Sequence, residues 1–295
     1  MRSLKKVGIS LISIVLFALL SYVILDFFVP KSNSSNSENE EIAQQQSRIS
    51  LDLVAVGDSL TEGVGDSTQR GGYVPLVADM LRTNPNVKNV QTANYGHAGD
   101  TSSQLMTLLE ENEEAQADLK EANIITITVG GNDLIRNFRQ VGLNGSVEDF
   151  ETTIQEYEAN LNSIFSLLKQ YNSEASIYIY GLYNPYHYYF AEFEGLQAVF
   201  DLWNERTVEI AENTDNVTFV EIDSLFNPSD APTETEVEAN SGDSLENIQD
   251  TNHPYLFEDD LFHPNDSGYK VMASALREAI EKELEDTDSL LSMNR

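Results

Sequence analysis

Five short apolar runs, residues 51–56, 87–93, 124–129, 177–180 and 217–222, alternate with stretches of helical spacing from residue 49 onward. The helix-like stretches are 73–82, 102–112, 147–171 and 195–213, with a last one at 267–286. The longest is the clearest: Phe150, Ile154, Tyr157, Leu161, Ile164, Phe165 and Leu168 recur every three or four residues, an apolar stripe along one side of a helix. Such alternation leaves few ways to fold. Parallel strands need crossover connections, and right-handed crossovers put helices on both faces of the sheet. A parallel sheet between two helical layers is the expectation.

The chain before residue 49 has a different character. Arg2, Lys5 and Lys6 precede the mostly apolar stretch 7–29. At ~1.5 Å per residue, residues 7–25 reach about 29 Å, close to the hydrocarbon thickness of a bilayer. Basic residues on its N-terminal side set that end in the cytoplasm and the remainder outside. No clear Ala-x-Ala site follows the run, so an uncleaved single-pass anchor over 1–30 is expected, with a cleaved signal peptide as the alternative. Residues 31–48, rich in Ser, Asn, Glu and Gln, read as a flexible linker. Residues 49–286 make the folded domain, 227–250 an acidic loop inserted in it, and 287–295 a C-terminal tail.

Charge and cysteine usage remove whole classes of function. A net charge of -32 argues against nucleic acid and anionic lipid headgroups as electrostatic partners. With no Cys there is no disulfide, thiolate metal site, Cys nucleophile or lipid-attachment cysteine. The acidic residues Glu258, Asp259 and Asp260 follow no calcium-loop spacing, so no metal and no cofactor is expected.

Residues 51–56 run directly into Gly57-Asp58-Ser59. A buried strand ending there delivers the Ser59 hydroxyl to the C-terminal edge of the sheet, where open α/β folds bind ligands. A serine attacks a carbonyl only with a base, an orienting group for that base, and donors for the oxyanion. The chain has four histidines: His97, His187, His253 and His263. Two of them, His253 and His263, each follow an Asp by three residues (Asp250 and Asp260), and local spacing does not choose between them. The segments Asn94-Tyr95-Gly96-His97-Ala98-Gly99 and Gly130-Gly131-Asn132-Asp133 follow the second and third strands and bring backbone N–H groups and the Asn132 amide to the same edge. Asp58 and Asp133 read as turn-stabilising residues, and Asp266 as the N-cap of the last helix.

Together, Gly57-Asp58-Ser59-Leu60, the glycine of Asn94-Tyr95-Gly96, Gly130-Gly131-Asn132-Asp133 and Asp260-Leu261-Phe262-His263 resemble the four blocks of the GDSL, or SGNH, hydrolases, in that family's order. The resemblance implies a flavodoxin-like three-layer fold with five parallel strands, and a serine esterase or lipase needing no metal. It implies Ser59 as nucleophile and oxyanion donor, Gly96 N–H and the Asn132 side chain as the other donors, His263 as base and Asp260 as its orienter. The run His263-Pro264-Asn265-Asp266-Ser267-Gly268 fits the family's last block, whereas His253 is followed by Pro254-Tyr255 and fits less well.

The aromatic residues from Tyr183 to Phe190 follow the fourth strand and wall a cleft or pack a loop; His187 reads as a rim residue, and His97 as one that lines the cleft. The expected protein is an extracellular, membrane-anchored ester hydrolase acting on lipid, lysophospholipid or glycan O-acyl esters. Acyl thioesters suit the same machinery. A surface binding protein that keeps the fold without catalysis is the rival.

Overall fold

The computed structural model describes residues 48–142, 145–188, 194–227 and 253–293. The expected anchor, nearly all of the linker and the acidic loop lie outside them. Among the described residues no helix is long and apolar enough to cross a membrane.

The elements are β1 (Ile49–Gly57), α1 (Ser59–Glu62), α2 (Tyr73–Leu81), β2 (Val87–Gly96), α3 (Ser102–Glu111), α4 (Glu113–Glu121), β3 (Ile124–Thr128), α5 (Gly131–Val141) and α6 (Val147–Tyr171). They continue with β4 (Ser176–Tyr180), α7 (Glu194–Glu212), β5 (Val217–Val220), a 3-10 turn (Ser224–Phe226) and α8 (Asp266–Met293). The strands form one five-stranded parallel sheet in the order β2-β1-β3-β4-β5. This is the flavodoxin-like arrangement expected from the family resemblance.

Side-chain alternation divides the core in two. On one face Val54, Val56, Ile125, Ile127, Ile177 and Ile179 pack with the apolar stripe of α6 and with α3, α5 and α7. On the other, Leu53, Ala55, Tyr178 and Tyr180 pack with α2 and α8. Central strands buried on both faces are mostly apolar; β3 is buried at all five positions, and its two threonines, Thr126 and Thr128, are hydrogen-bonded. The edge strand β2 buries only Val87 and Val90, so its sequence looks far more polar.

Connection order reverses between β1 and β3, which are neighbours with β2 on the far side of β1. Ligands bind at such a switch point, at the C-terminal ends of the strands. Register makes those ends level, because Gly57 pairs with Gly96 on one side and with Thr128 on the other.

Several elements differ from the expected ones. β2 runs three residues past 93, because pairing with β1 continues through Tyr95 and Gly96 although Asn-Tyr-Gly reads as a turn. Helices α4 and α5 were not expected: α4 buries only Ala115 and Leu119, and α5 follows Gly130-Gly131, which reads as a turn, although Leu134, Ile135, Phe138 and Val141 recur at helical spacing. The last helix extends to Met293, through residues expected as a tail; no Gly or Pro interrupts 287–293.

Candidate active site

Ser59 is the first residue of α1, immediately beyond β1. Asp58 caps that helix, its Oδ1 accepting from Leu60 N–H at 3.0 Å and from Thr128 Oγ1 at 2.7 Å. Burial pushes the Asp58 carboxyl up, and those two donors pull it partly back. Beneath α1 a buried hydroxyl chain continues from Thr128 Oγ1 to Thr61 Oγ1 at 2.8 Å, on to Tyr73 OH at 3.0 Å, and to Thr126 Oγ1 at 2.8 Å. A fully bonded polar chain inside an apolar layer fixes the turn that carries Ser59.

His263 comes from the loop before α8. Its Nε2 lies 2.8 Å from Ser59 Oγ and its Nδ1 2.6 Å from Asp260 Oδ2. The other Asp260 oxygen accepts the backbone N–H groups of Phe262, at 2.9 Å, and His263, at 3.0 Å. Burial raises the Asp260 pKa, but the His263 ring and these N–H groups outweigh it and hold the carboxyl below its ordinary value. An ionised Asp260 keeps the proton on Nδ1 and leaves Nε2 to accept from the Ser59 hydroxyl. The loop is closed by Phe257 N–H donating to His263 O at 2.7 Å and by Tyr183 OH donating to Phe262 O at 2.6 Å.

The second Asp-x-x-His histidine is elsewhere. His253 is buried, with Nε2 3.1 Å from Phe226 O and Nδ1 accepting Tyr255 N–H at 3.1 Å. Burial pushes its pKa down to about 4, with the Phe226 carbonyl opposing. It is a neutral core histidine. His97 does not line the cavity beside Ser59; its Nδ1 meets Asp100 Oδ1 at 2.9 Å and its side chain is 71% exposed. His187, half-buried, also lies off that lining.

Of the expected oxyanion donors, Ser59 N–H has no acceptor among the described residues, and Asn132 Nδ2 uses one hydrogen on Asp100 O at 2.9 Å, with no second acceptor among them. Gly96 requires correction. Its N–H is donated to Asn94 Oδ1 at 2.9 Å, so it is spent. A Cβ at Gly96 would stand 2.1 Å from Glu62 N, so this glycine is there for close packing of β2 on α1. Among the described residues, the backbone N–H of this turn without an acceptor is that of Gly99, whose φ of +87° favours glycine and where a Cβ would meet nothing within 4 Å. The turn is tied down on every side. His97 N–H donates to Gly57 O at 2.9 Å, Asp100 N–H to His97 O at 3.2 Å, and Ala98 N–H to the Glu62 carboxylate. Two signals pointed this way in the chain: an Asn two residues before Gly96, and Gly99 directly before the Asp-Thr-Ser start of α3.

Asp133 joins the N-termini of α5 and α3, accepting from Ser102 Oγ at 2.6 Å and Ser102 N at 2.9 Å. Asp266 is not the cap of α8. Asn265 is, accepting from Ser267 N at 2.8 Å and Gly268 N at 3.0 Å, while Asp266 takes Ser67 N–H and Oγ–H. Among the described residues, no group of three or more His, Asp or Glu is placed to hold a metal ion.

Beside Ser59 and Asn132 opens a cavity of about 300 Å³, walled mainly by apolar side chains from α5, α7 and the loop after β4. Tyr183 and Tyr186 of the expected aromatic cluster are part of it.

The uncharacterized protein YpmR of Bacillus subtilis (strain 168) is 30% identical over 269 residues, covering 91% of this chain and 96% of that protein. The spore germination lipase LipC of Bacillus licheniformis is 25% identical over 142 residues, 47% of this chain and 66% of that one. Among solved structures, the lipase Lip_vut3 from a goat rumen metagenome superposes with a TM-score of 0.59 at 20% identity, over 78% of this chain and 97% of its own; at that identity the likeness speaks for the fold. The family model described as GDSL-like lipase/acylhydrolase matches residues 53–276. The chain belongs to the GDSL-like lipase/acylhydrolase family, and it is a carboxylic-ester hydrolase.

Proposed function

We propose that the hydrolase works through an acyl-enzyme on Ser59. Ser59 Oγ attacks the ester carbonyl carbon as its proton passes to His263 Nε2, and Asp260 stabilises the imidazolium without taking the proton. The carbonyl oxygen, now negative, accepts from Ser59 N–H, from Gly99 N–H and from the second hydrogen of Asn132 Nδ2. His263 then protonates the departing alkoxide, and the alcohol leaves an ester on Ser59. Water gives a proton to His263 and attacks that ester; the acid leaves and the proton returns to Ser59 Oγ. The observation that carries this reading is the unbroken line Ser59 Oγ–His263–Asp260, with separations of 2.8 and 2.6 Å.

The substrates we assign are lipid, lysophospholipid or O-acyl esters met outside the cell. Support comes from the apolar stretch 7–29 behind Arg2, Lys5 and Lys6, which suits a single-pass anchor with the enzyme outside, or a signal removed on secretion. The partial likeness to a germination lipase favours acyl lipids. Hydrolysis of a soluble p-nitrophenyl ester by the intact chain tests the reading: Ser59→Ala is expected to abolish turnover. Turnover that survives in Ser59→Ala contradicts it, and no turnover by the native chain favours the binding-protein rival.

A further inference from the structure

The cavity at Ser59 is one-sided. Ser59 and Asn132 line it, and His263 does not. In the mechanism proposed above, on which this inference rests, the departing oxygen must face His263 Nε2 to receive its proton. The cavity therefore lies on the other side of the carbonyl, where the acyl group goes.

Its walls are mainly apolar. Leu134, Leu182 and Phe200 are buried at 1%, 8% and 5% exposure, Ile135, Phe138 and Tyr186 line the cavity as well, and Phe262, the neighbour of His263, also borders it. Phe138 stacks on Phe200 with ring centroids 6.4 Å apart, and Phe150 backs it at 4.6 Å. Asp58 also touches the cavity, but its carboxylate is spent on Leu60 and Thr128. Arg139, one residue past Phe138, is exposed and marks the rim.

Helix α5 measures the length of this slot. Asn132 at its first turn meets the carbonyl, and Phe138 lies six residues on, about 9 Å further at ~1.5 Å per residue. The cavity of about 300 Å³ lies at the small end of ligand pockets, with room for one chain of that length. We infer that this slot binds a straight medium-chain acyl group of about eight carbons and that the enzyme selects such esters over acetyl esters. An acetyl group would leave most of the apolar wall uncovered, whereas each added methylene transfers to an apolar wall and multiplies kcat/KM about two- to fourfold until the Phe138–Phe200 pair is reached.

Rates on p-nitrophenyl acetate, butyrate, hexanoate, octanoate and dodecanoate test this with the native chain. The expected result is a kcat/KM that climbs at least tenfold from acetate to octanoate and gains nothing further at dodecanoate. Ile135→Trp, which fills the slot, is expected to cut the octanoate-to-acetate ratio at least tenfold; Phe200→Ala, which lengthens it, is expected to raise the dodecanoate-to-octanoate ratio. Acetate hydrolysed as well as octanoate overturns the slot while leaving the hydrolase mechanism standing. An octanoate preference that Ile135→Trp, folded by circular dichroism, leaves unchanged also overturns it. No ester of any length hydrolysed overturns the mechanism, and the slot with it.

Discussion

The carboxylate of Glu62 accepts the backbone N–H of Ala98. Glu62 ends the short helix that Ser59 begins, and Ala98 precedes Gly99, so this bond ties the helix of the proposed nucleophile to the turn that carries the proposed oxyanion donor. Displacements well under 1 Å at such a donor matter to the rate. Glu62→Ala is expected to lower kcat about tenfold with KM little changed, and Glu62→Gln, which keeps an acceptor oxygen, to recover most of it. Steady-state kinetics on one ester reads both; equal losses in the two variants would leave Glu62 without this positioning role.

In the proposed mechanism Asn132 Nδ2 donates its second hydrogen to the oxyanion. Asn132→Ala is expected to reduce kcat about 10²–10³-fold, the usual effect of removing one oxyanion donor. Thermal unfolding should move little, since only the bond to Asp100 O is lost within the fold. A fall in KM-dependent binding with kcat intact would reassign Asn132 to substrate binding.

The two Asp-x-x-His histidines separate cleanly. His263→Ala is expected to cost about 10²–10⁴ in kcat without unfolding the protein. His253→Ala should leave the kcat of the folded fraction nearly unchanged while lowering stability by about 1–3 kcal/mol, because Phe226 O and Tyr255 N–H lose a buried partner. Urea unfolding beside initial rates distinguishes the two outcomes, and the reverse pattern would make His253 the base.

His253 also gives stability a pH dependence of known sign. Its folded pKa, about 4, lies below the ordinary 6.5, so the unfolded chain binds the extra proton between those values. The contribution is whole above pH 6.5 and is lost as pH falls toward 4. Discounted for solvent screening, it comes to about 2 kcal/mol. The difference in unfolding free energy between pH 7.5 and 4.5 should therefore shrink by about that amount in His253→Gln. An unchanged difference would show that His253 is protonated in the folded state.

How much of this was legible in the chain depended on how local each signal is. The run into Gly57-Asp58-Ser59 and the Asp260-x-x-His263 spacing lie within a few residues, and the structure brings them together at 2.8 and 2.6 Å. The stripe of α6 marked a helix because seven side chains share one burial surface. Gly96 was misjudged because an N–H is a donor only if nothing else holds it, and Asn94 folds back across two residues to do so. Helix α5 was overlooked for a different reason: Leu134, Ile135, Phe138 and Val141 do recur at helical spacing, but the stretch is short and opens on Gly130-Gly131, which reads as a turn. The acyl slot draws on α5, α7 and the loop after β4, which only the sheet order brings together.

Ser59 is proposed as a nucleophile activated by His263. Intact-mass measurement after incubation with a fluorophosphonate tests it most directly, because the reagent captures only an activated hydroxyl. One adduct per chain, mapped to the peptide containing Ser59, absent in Ser59→Ala and strongly slowed in His263→Ala, is the predicted result. No adduct on the native protein, or an adduct that persists in Ser59→Ala, would contradict it.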